Sequence, residues 1–229
     1  MFRPFFALAL TTIFTLLTTP TFAQSTEPRI LFMGDSMLAA HRISGRAVSH
    51  TVEKATGIPV KDNSVLGARI IYRLPISGSM GLNIGRQFRK GDWDWVVVNG
   101  GGNDLWLGCG CSRCDRKLDK LAAKNGANAG EIPKLIRKIR RTGAKVIYVG
   151  YLRSPGAGSP IEHCRNEGDE LERRVKAFTS SDPGVFHVSL RDLVPSGDRS
   201  FHGSDMIHPS LKGSREIGKR IARLIVNNR

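Results

Sequence analysis

A serine directly after the first strongly apolar stretch is the first residue placed to do chemistry. Residues 30–33 read Ile-Leu-Phe-Met and are followed by Gly34, Asp35 and Ser36. A short apolar run that ends in turn residues is typical of a strand buried on both faces. The pattern turns helical after Ser36, and free N–H groups at a helix start can face a developing negative charge. A lone Gly-Asp-Ser is more often an ordinary helix cap, so Ser36 is a candidate nucleophile only in combination with other residues.

A carboxylate and a histidine near the C terminus form the second pattern. Asp205 and His208 are three residues apart, just before Pro209. Within one turn of chain this offset places both side chains on one side. The carboxylate can then hold the imidazole in one tautomer, so that its other nitrogen accepts a proton from a serine hydroxyl. His208 is the candidate base and Asp205 its orienting partner, although the pair alone could also be a cap or half of a metal site.

Attack of a serine on a carbonyl also requires hydrogen-bond donors for the oxyanion that forms. The candidates are the backbone N–H groups of Ser36 and Gly67 and the side-chain amide of Asn103, which follows three consecutive glycines. Gly67 and Asn103 could each be simple turn residues. The joint occurrence of nucleophile, donors and base in this order favours acyl transfer.

Strands and helices alternate along the part of the chain that carries these candidates. Predicted strands cover 30–33, 58–65, 93–99, 146–149 and 185–190, and predicted helices cover 37–56, a short segment ending at 89, 131–141, 167–178 and 211–226. This alternation predicts an α/β fold with a parallel sheet covered on both faces. Ligands bind beyond the carboxyl ends of such strands. We therefore expect the candidate residues to meet at that edge.

Four blocks of sequence together resemble the SGNH hydrolase (GDSL-type esterase/lipase) superfamily. They are Gly34-Asp35-Ser36, Gly67 in its Leu-Gly-Ala context, Gly101-Gly102-Asn103-Asp104, and Asp205-Met206-Ile207-His208. The resemblance implies a three-layer α/β/α sandwich with a five-stranded parallel, flavodoxin-like sheet. It also implies a serine hydrolase of carboxylic esters that uses no metal or organic cofactor.

The four cysteines Cys109, Cys111, Cys114 and Cys164 form an even set, which predicts two disulfides in an oxidising compartment. A bond between Cys109 and Cys111 would need a strained loop, so Cys164 is expected to pair with one of these two. Such a bond would join loops that follow the third and fourth strands. A four-thiolate zinc site and a redox pair of Cys111 with Cys114 are the alternatives.

The N terminus reads as a secretory signal peptide over residues 1–23, which leaves 24–229 as a single domain. One early cation, Arg3, precedes an apolar stretch and the small-residue pattern Thr21-Phe22-Ala23. Removal of this segment lowers the net charge by one, from +15 to +14. The mature chain is expected to be secreted or periplasmic, without a membrane span. Its basic charge favours anionic partners, but no nucleic-acid-binding motif accompanies it.

The predicted function is therefore that of an exported serine esterase, with Ser36, Asp205 and His208 as its catalytic residues. Its predicted substrates are small-molecule or glycan esters, anionic ones among them, such as O-acetyl groups on envelope or extracellular glycans. An acyltransferase with the same site and a non-catalytic envelope-binding or glycan-binding module are the alternatives. Side chains that follow strand ends are candidate substrate contacts, with structural roles as the alternative: Arg69, Trp106, Tyr151 and Arg153.

Overall fold

The computed structural model describes residues 27–124, 128–156 and 158–229, so the predicted signal peptide lies outside the described residues. Its centre is a five-stranded sheet of order β2-β1-β3-β4-β5, in which all neighbouring strands are parallel. The strands are β1 (Ile30–Met33), β2 (Val60–Asp62), β3 (Trp95–Val98), β4 (Lys145–Val149) and β5 (Val185–Val188). The register places Ile30 opposite both Val60 and Trp95. The order reverses between β1 and β3, which is where open α/β sheets bind their ligands.

Helices connect the strands and cover the sheet. They are α1 (Ser36–Ala39), α2 (Val48–Thr56), α3 (Pro75–Ser77), α4 (Ile84–Gln87), α5 (Gly102–Cys109), α6 (Asp115–Leu121), α7 (Glu131–Arg140), α8 (Arg165–Thr179) and α9 (Leu211–Asn227). A helical turn of residues Gly78–Leu82 follows α3, and a 3-10 turn of residues Glu162–Cys164 precedes α8. Of the helices in the described parts of the chain, none combines the length and apolar character required to cross a membrane.

Alternation along the strands divides the core into two halves, one on each face of the sheet. On β1, Leu31 and Met33 belong to one buried cluster, while Ile30 and Phe32 belong to the other. The first cluster contains the apolar faces of α5 to α8, and the second those of α1, α2 and α9. Because successive strand side chains point to opposite faces, both halves draw on the same strands. The predicted three-layer α/β/α sandwich with its five-stranded parallel sheet is confirmed.

The helix predicted over 37–56 is interrupted, and two helices after β3 were not predicted. Residue His41 has φ +63° and Gly45 has φ +68°, so the chain leaves the helical conformation between α1 and α2. Ile43, which fits the predicted helical pattern, lies on this turn and is fully exposed. The segment that contains α5 and α6 is rich in glycine and cysteine, which hides its helical periodicity.

Two disulfides are formed near the carboxyl edge of the sheet, and one of them joins the connections that follow β3 and β4. Cys109 bonds Cys114 across the connection from α5 to α6, and Cys111 bonds Cys164 in the turn before α8. The expectation that Cys164 pairs with Cys109 or Cys111 is thereby confirmed. The suggested redox pair of Cys111 with Cys114 is wrong, because each of these cysteines has another partner.

Candidate active site

Ser36 begins α1 at the sharp turn that follows β1. Asp35 caps this helix, since its Oδ1 accepts a hydrogen bond from the backbone N–H of Met37 at 3.0 Å. A Cβ atom at position 34 would lie 2.9 Å from the carbonyl oxygen of Asn99 on the neighbouring strand end, so the turn requires Gly34. The turn leaves Ser36 half-buried at the carboxyl edge of the sheet.

Asp205 and His208 are hydrogen-bonded to each other on the segment that leads into α9. The Asp205 Oδ2 lies 2.5 Å from the His208 Nδ1, and its Oδ1 accepts the backbone N–H groups of Ile207 and His208, each at 3.0 Å. Burial alone would raise the pKa of Asp205, but the bonds from the His208 ring and from the two N–H groups, together with the His208 charge, lower it to about 2. An ionised Asp205 makes Nδ1 the donor of the pair and leaves Nε2 able to accept a proton.

Contacts on both sides hold the His208 segment in place. The ring of His41 hydrogen-bonds through Nε2 to the carbonyl of Pro209 at 2.9 Å, which ties the segment to the turn after α1. Met206 has φ +55°, a conformation that is uncommon for a residue with a side chain. Ser210 caps α9 by accepting the N–H of Gly213 at 3.1 Å. The imidazole is therefore positioned from α1 on one side and from α9 on the other.

Asn103 and Asp104 lie in the first turn of α5, beyond β3. The Asn103 Nδ2 donates one hydrogen bond to the carbonyl of Ala68 at 3.1 Å, and its second N–H is left for another acceptor. The buried carboxylate of Asp104 accepts the N–H groups of Ile70 at 2.9 Å and Ile71 at 2.8 Å. Burial raises the pKa of Asp104, and these two backbone bonds oppose the rise. Both side chains thus fix the loop after β2 against the N terminus of α5.

Ser36, Asn103 and His208 line one cavity of about 110 Å³. Three separate connections supply them: the turn after β1, the first turn of α5 and the segment before α9. Gly67 is not among the described residues that line this cavity. It is exposed, with φ +73°, next to the residue whose carbonyl accepts from Asn103. The structure therefore brings the candidate nucleophile, the candidate base and one candidate oxyanion donor together at one cavity, and it leaves Gly67 outside this cavity.

Three of the four candidate substrate contacts line the cavity: Trp106, Tyr151 and Arg153. Arg153 is only 15% exposed and is ion-paired with Asp169 at 2.5 Å and with Glu172 at 2.6 Å. The fourth candidate, Arg69, lies outside the cavity, with its guanidinium over the Tyr72 ring at 5.1 Å from the centroid. The Arg153 charge is thus balanced within the protein and is poorly placed to bind an anionic substrate.

Tyr151 has a further role that sequence reasoning missed. Its hydroxyl donates a hydrogen bond to the Asp35 Oδ2 and accepts one from the backbone N–H of Gly102 at 2.9 Å. Burial raises the pKa of Asp35 to about 6, and the bonds from Tyr151 and from the Met37 N–H limit the rise. Burial also raises the pKa of Tyr151 well above its ordinary value. This hydroxyl connects the Ser36 turn to the helix that carries Asn103. Because Tyr151 and Asp35 are 116 residues apart, no local sequence pattern indicates the bond between them.

Apart from the candidate catalytic residues, the lining of the cavity is mainly apolar. Its apolar side chains come from α5, from the loop after β4, from α8 and from the His208 segment: Leu105, Trp106, Leu152, Ile161, Leu171 and Ile207. At its rim, Glu162 and Arg165 form an ion pair with each other. The disulfide between Cys111 and Cys164 fastens this wall to the end of α5.

The zinc alternative does not fit the sulfur chemistry. Among the described residues, Cys111, His163 and Cys164 form a group whose ligand atoms lie close enough to hold a metal ion. Both sulfurs belong to one disulfide, so neither is the thiolate that zinc requires.

Comparison with known families agrees with this geometry. The sequence profile of the GDSL-like lipase/acylhydrolase family matches residues 32–216, which include all four sequence blocks. The chain belongs to this family. Membership confirms the predicted superfamily and the enzyme class, a serine hydrolase of carboxylic esters. Among curated proteins, no sequence matches significantly.

Solved structures share the fold at low sequence identity. A Streptococcus pneumonia protein whose name associates it with platelet activating factor is similar with a TM-score of 0.62 and 14% identity, over 87% of this chain and 84% of that chain. A Corynascus thermopiles (Myceliophthora fergusii) carbohydrate esterase of family 2 with a carbohydrate-binding domain is similar with a TM-score of 0.57 and 17% identity, over 91% of this chain and 68% of that chain. A lipase from a goat rumen metagenome is similar with a TM-score of 0.55 and 14% identity, over 86% of this chain and 97% of that chain. At such identities these likenesses concern the fold alone.

Proposed function

We propose that this chain is an exported serine esterase in which Ser36 is the nucleophile, His208 the general base and Asp205 the residue that orients the base. The observation that carries the proposal is the convergence of Ser36, His208 and Asn103 on one cavity. Ser36 Oγ attacks the ester carbonyl and passes its proton to His208 Nε2. The same proton then goes to the leaving alcohol, and an acyl enzyme remains. Water, activated by His208, releases the acid and restores Ser36.

The tetrahedral oxyanion is stabilised by the Ser36 backbone N–H and by the free N–H of the Asn103 amide. Asn103 suits this role because its other N–H is held by Ala68 at 3.1 Å, so the amide is oriented before substrate binds. Fixed donors of this kind contribute most where water is excluded. The Gly67 N–H is a third proposed donor, which would require the Gly67 peptide to face the cavity when substrate is bound.

The cavity favours a short, uncharged acyl group. Its walls are largely apolar. Of its charged lining residues, Arg153 is ion-paired with Glu172, Glu162 is ion-paired with Arg165, and the Asp35 carboxylate accepts hydrogen bonds from Tyr151 and from the Met37 N–H. A cavity of about 150 Å³ in another protein accommodates benzene, so the cavity of about 110 Å³ here suits an acyl group of roughly two to four carbons. O-acetyl groups on envelope or extracellular glycans meet this requirement. The fold shared with a carbohydrate esterase supports a sugar as the alcohol.

The test is hydrolysis of a series of nitrophenyl esters from acetate to octanoate, together with labelling by a fluorophosphonate. Acetate and butyrate should be the best substrates, and Ser36→Ala should abolish both turnover and labelling. Ser180→Ala is the matched control, because Ser180 is an exposed serine at the far end of α8. Full activity of Ser36→Ala would overturn the proposal, and octanoate as the best substrate would overturn the proposed acyl length.

Two further measurements address the alcohol and the compartment. Release of acetate from an acetylated glycan should depend on Ser36, and added sugar acceptor should not divert the acyl group from water. Transfer to the acceptor in place of hydrolysis would identify an acyltransferase. Expression of the full chain in a bacterium with a periplasm should yield a protein that begins at Gln24, whereas retention of residues 1–23 would contradict export.

A further inference from the structure

Large apolar side chains are exposed on one connection near the candidate active site. Between β2 and β3, Leu66 and Leu74 are each 64% exposed, Ile76 is 78% exposed and Met80 is 76% exposed. Ile76 and Met80 are four residues apart on consecutive helical turns, so they lie on a similar side. Ile43, on the turn after α1, is also fully exposed. Clusters of exposed apolar side chains commonly mark an interaction site.

Contacts hold these two connections together and beside the active site. The Arg42 guanidinium donates to the carbonyl of Ser64 at 2.5 Å, which joins the turn that carries Ile43 to the loop that carries Leu66. The Arg86 guanidinium donates to the carbonyl of Pro75 at 2.9 Å, at the start of the turns that carry Ile76 and Met80. The loop after Leu66 is the one held by Asn103 and Asp104. We call this surface the basic apolar rim; it consists of Ile43, Leu66, Leu74, Ile76 and Met80 with Arg42, Arg46, Arg69, Arg73 and Arg86.

The rim is strongly basic, and the charge of one of its arginines, Arg69, acts on the buried carboxylate of Asp104. Residues 36–52 and 63–86 contain five arginines and no aspartate or glutamate. Within the described parts of the chain, none of these five arginines forms a salt bridge. Arginines elsewhere do, as with Arg140 to Asp182 at 3.1 Å and Arg220 to Asp192 at 2.5 Å. Unpaired cations interspersed with exposed apolar side chains are the combination that binds anionic lipid surfaces.

We propose that the basic apolar rim docks the protein on an anionic phospholipid bilayer. The arginines attract lipid phosphates, and Ile76, Met80 and their apolar neighbours enter the boundary between head groups and acyl chains. An anionic polysaccharide would use the cations but gain nothing from the apolar side chains, so the exposed apolar set favours lipid. Docking through this rim places the loop beside Asn103 at the membrane surface. The proposal concerns binding only and does not depend on the esterase reaction.

The experiment measures sedimentation of the Ser36→Ala variant with vesicles of phosphatidylcholine alone or mixed with phosphatidylglycerol. Binding should require phosphatidylglycerol and should weaken several-fold when salt rises from about 0.1 M to about 0.5 M. Ile76→Ser with Met80→Ser should reduce the partition coefficient about tenfold. Arg46→Gln and Arg73→Gln should each reduce it about fivefold, since a cation near such a surface contributes about 1 kcal/mol.

Matched control changes lie near the C-terminal end of α9, which packs beside the end of α2 at Thr56. Val226 is 47% exposed and Arg223 is exposed, so Val226→Ser and Arg223→Gln should leave vesicle binding unchanged. Equal binding to both vesicle types would overturn the proposal. Full binding by the Ile76 and Met80 double variant would also overturn it, because it would show that the apolar side chains do not contribute to binding. A loss in Arg223→Gln equal to the loss in Arg46→Gln would show that only the overall charge matters, and it would overturn the assignment of binding to this rim.

Discussion

Removal of the Tyr151 hydroxyl tests whether the bridge between the Ser36 turn and α5 stabilises the protein. In Tyr151→Phe, Asp35 loses a donor and the Gly102 N–H loses its acceptor at 2.9 Å. The ring itself stays in place, so no cavity forms. A buried polar group without a partner costs about 1 to 3 kcal/mol. We therefore expect the free energy of unfolding near neutral pH to fall by about 2 to 4 kcal/mol.

The loss should depend on pH because Asp35 titrates within the working range. Its pKa of about 6 lies above the ordinary 3.8, so the folded protein holds this proton more tightly than the unfolded chain. The contribution of Asp35 to stability is therefore most favourable below about pH 4 and declines by about 3 kcal/mol as the pH rises through 6. The Tyr151 bond favours the charged carboxylate, so Tyr151→Phe should raise the pKa of Asp35 further. The difference in stability between parent and variant should thus be larger at high pH than at low pH.

The assay is urea unfolding of both proteins, with disulfides intact, at about pH 5 and about pH 8. Tyr148→Phe is the matched control, because the buried Tyr148 hydroxyl donates to the Gly100 carbonyl at 2.6 Å and not to a carboxylate. The loss of unfolding free energy in Tyr148→Phe should be similar at the two pH values. A Tyr151→Phe loss of less than about 0.5 kcal/mol, or one equal at both pH values, would refute the reasoning.

Two further perturbations follow from the site. Asn103→Ala should lower kcat for a short-chain ester about a hundredfold or more with a smaller effect on KM, because an oxyanion donor is lost; a change under twofold would remove Asn103 from the mechanism. Replacement of Cys111 and Cys164 by serine should lower the free energy of unfolding by about 2 to 4 kcal/mol. That disulfide closes a separation of 53 residues, against 5 for Cys109 and Cys114. The corresponding Cys109 and Cys114 variant should lose less, and equal losses in urea unfolding would contradict this expectation.

The strands that position the site were predictable because their signal is local. Buried strands β1, β3 and β4 are short apolar runs, and both faces of each pack against helices. Helix α7 was predicted almost to its ends because its apolar residues recur at helical spacing. The helix predicted over 37–56 was wrong at its centre, where Ile43 fits the pattern but faces solvent. Periodicity cannot distinguish an apolar residue in the core from one on an exposed turn.

The candidate catalytic residues were predictable for a related reason. Ser36 and Asn103 follow strands, and Asp205 lies three residues from His208, so each pattern is contained within a few residues of sequence. The bond from Tyr151 to Asp35 has no such pattern, because it joins residues 116 positions apart. The ion pairs that neutralise Arg153 are also absent from any local motif, and for this reason the sequence left open whether Arg153 contacts substrate or has a structural role.

Sequence alone determined the order of the five strands, the class of reaction and the set of candidate catalytic residues, since these depend on neighbours along the chain. Tertiary structure decided which side chains share the cavity, how its charges are balanced and which cysteine Cys164 bonds. It also revealed the unpaired arginines and exposed apolar side chains of the basic apolar rim. Burial and charge pairing depend on which residues are neighbours in space, and folding brings together residues that are far apart in the sequence.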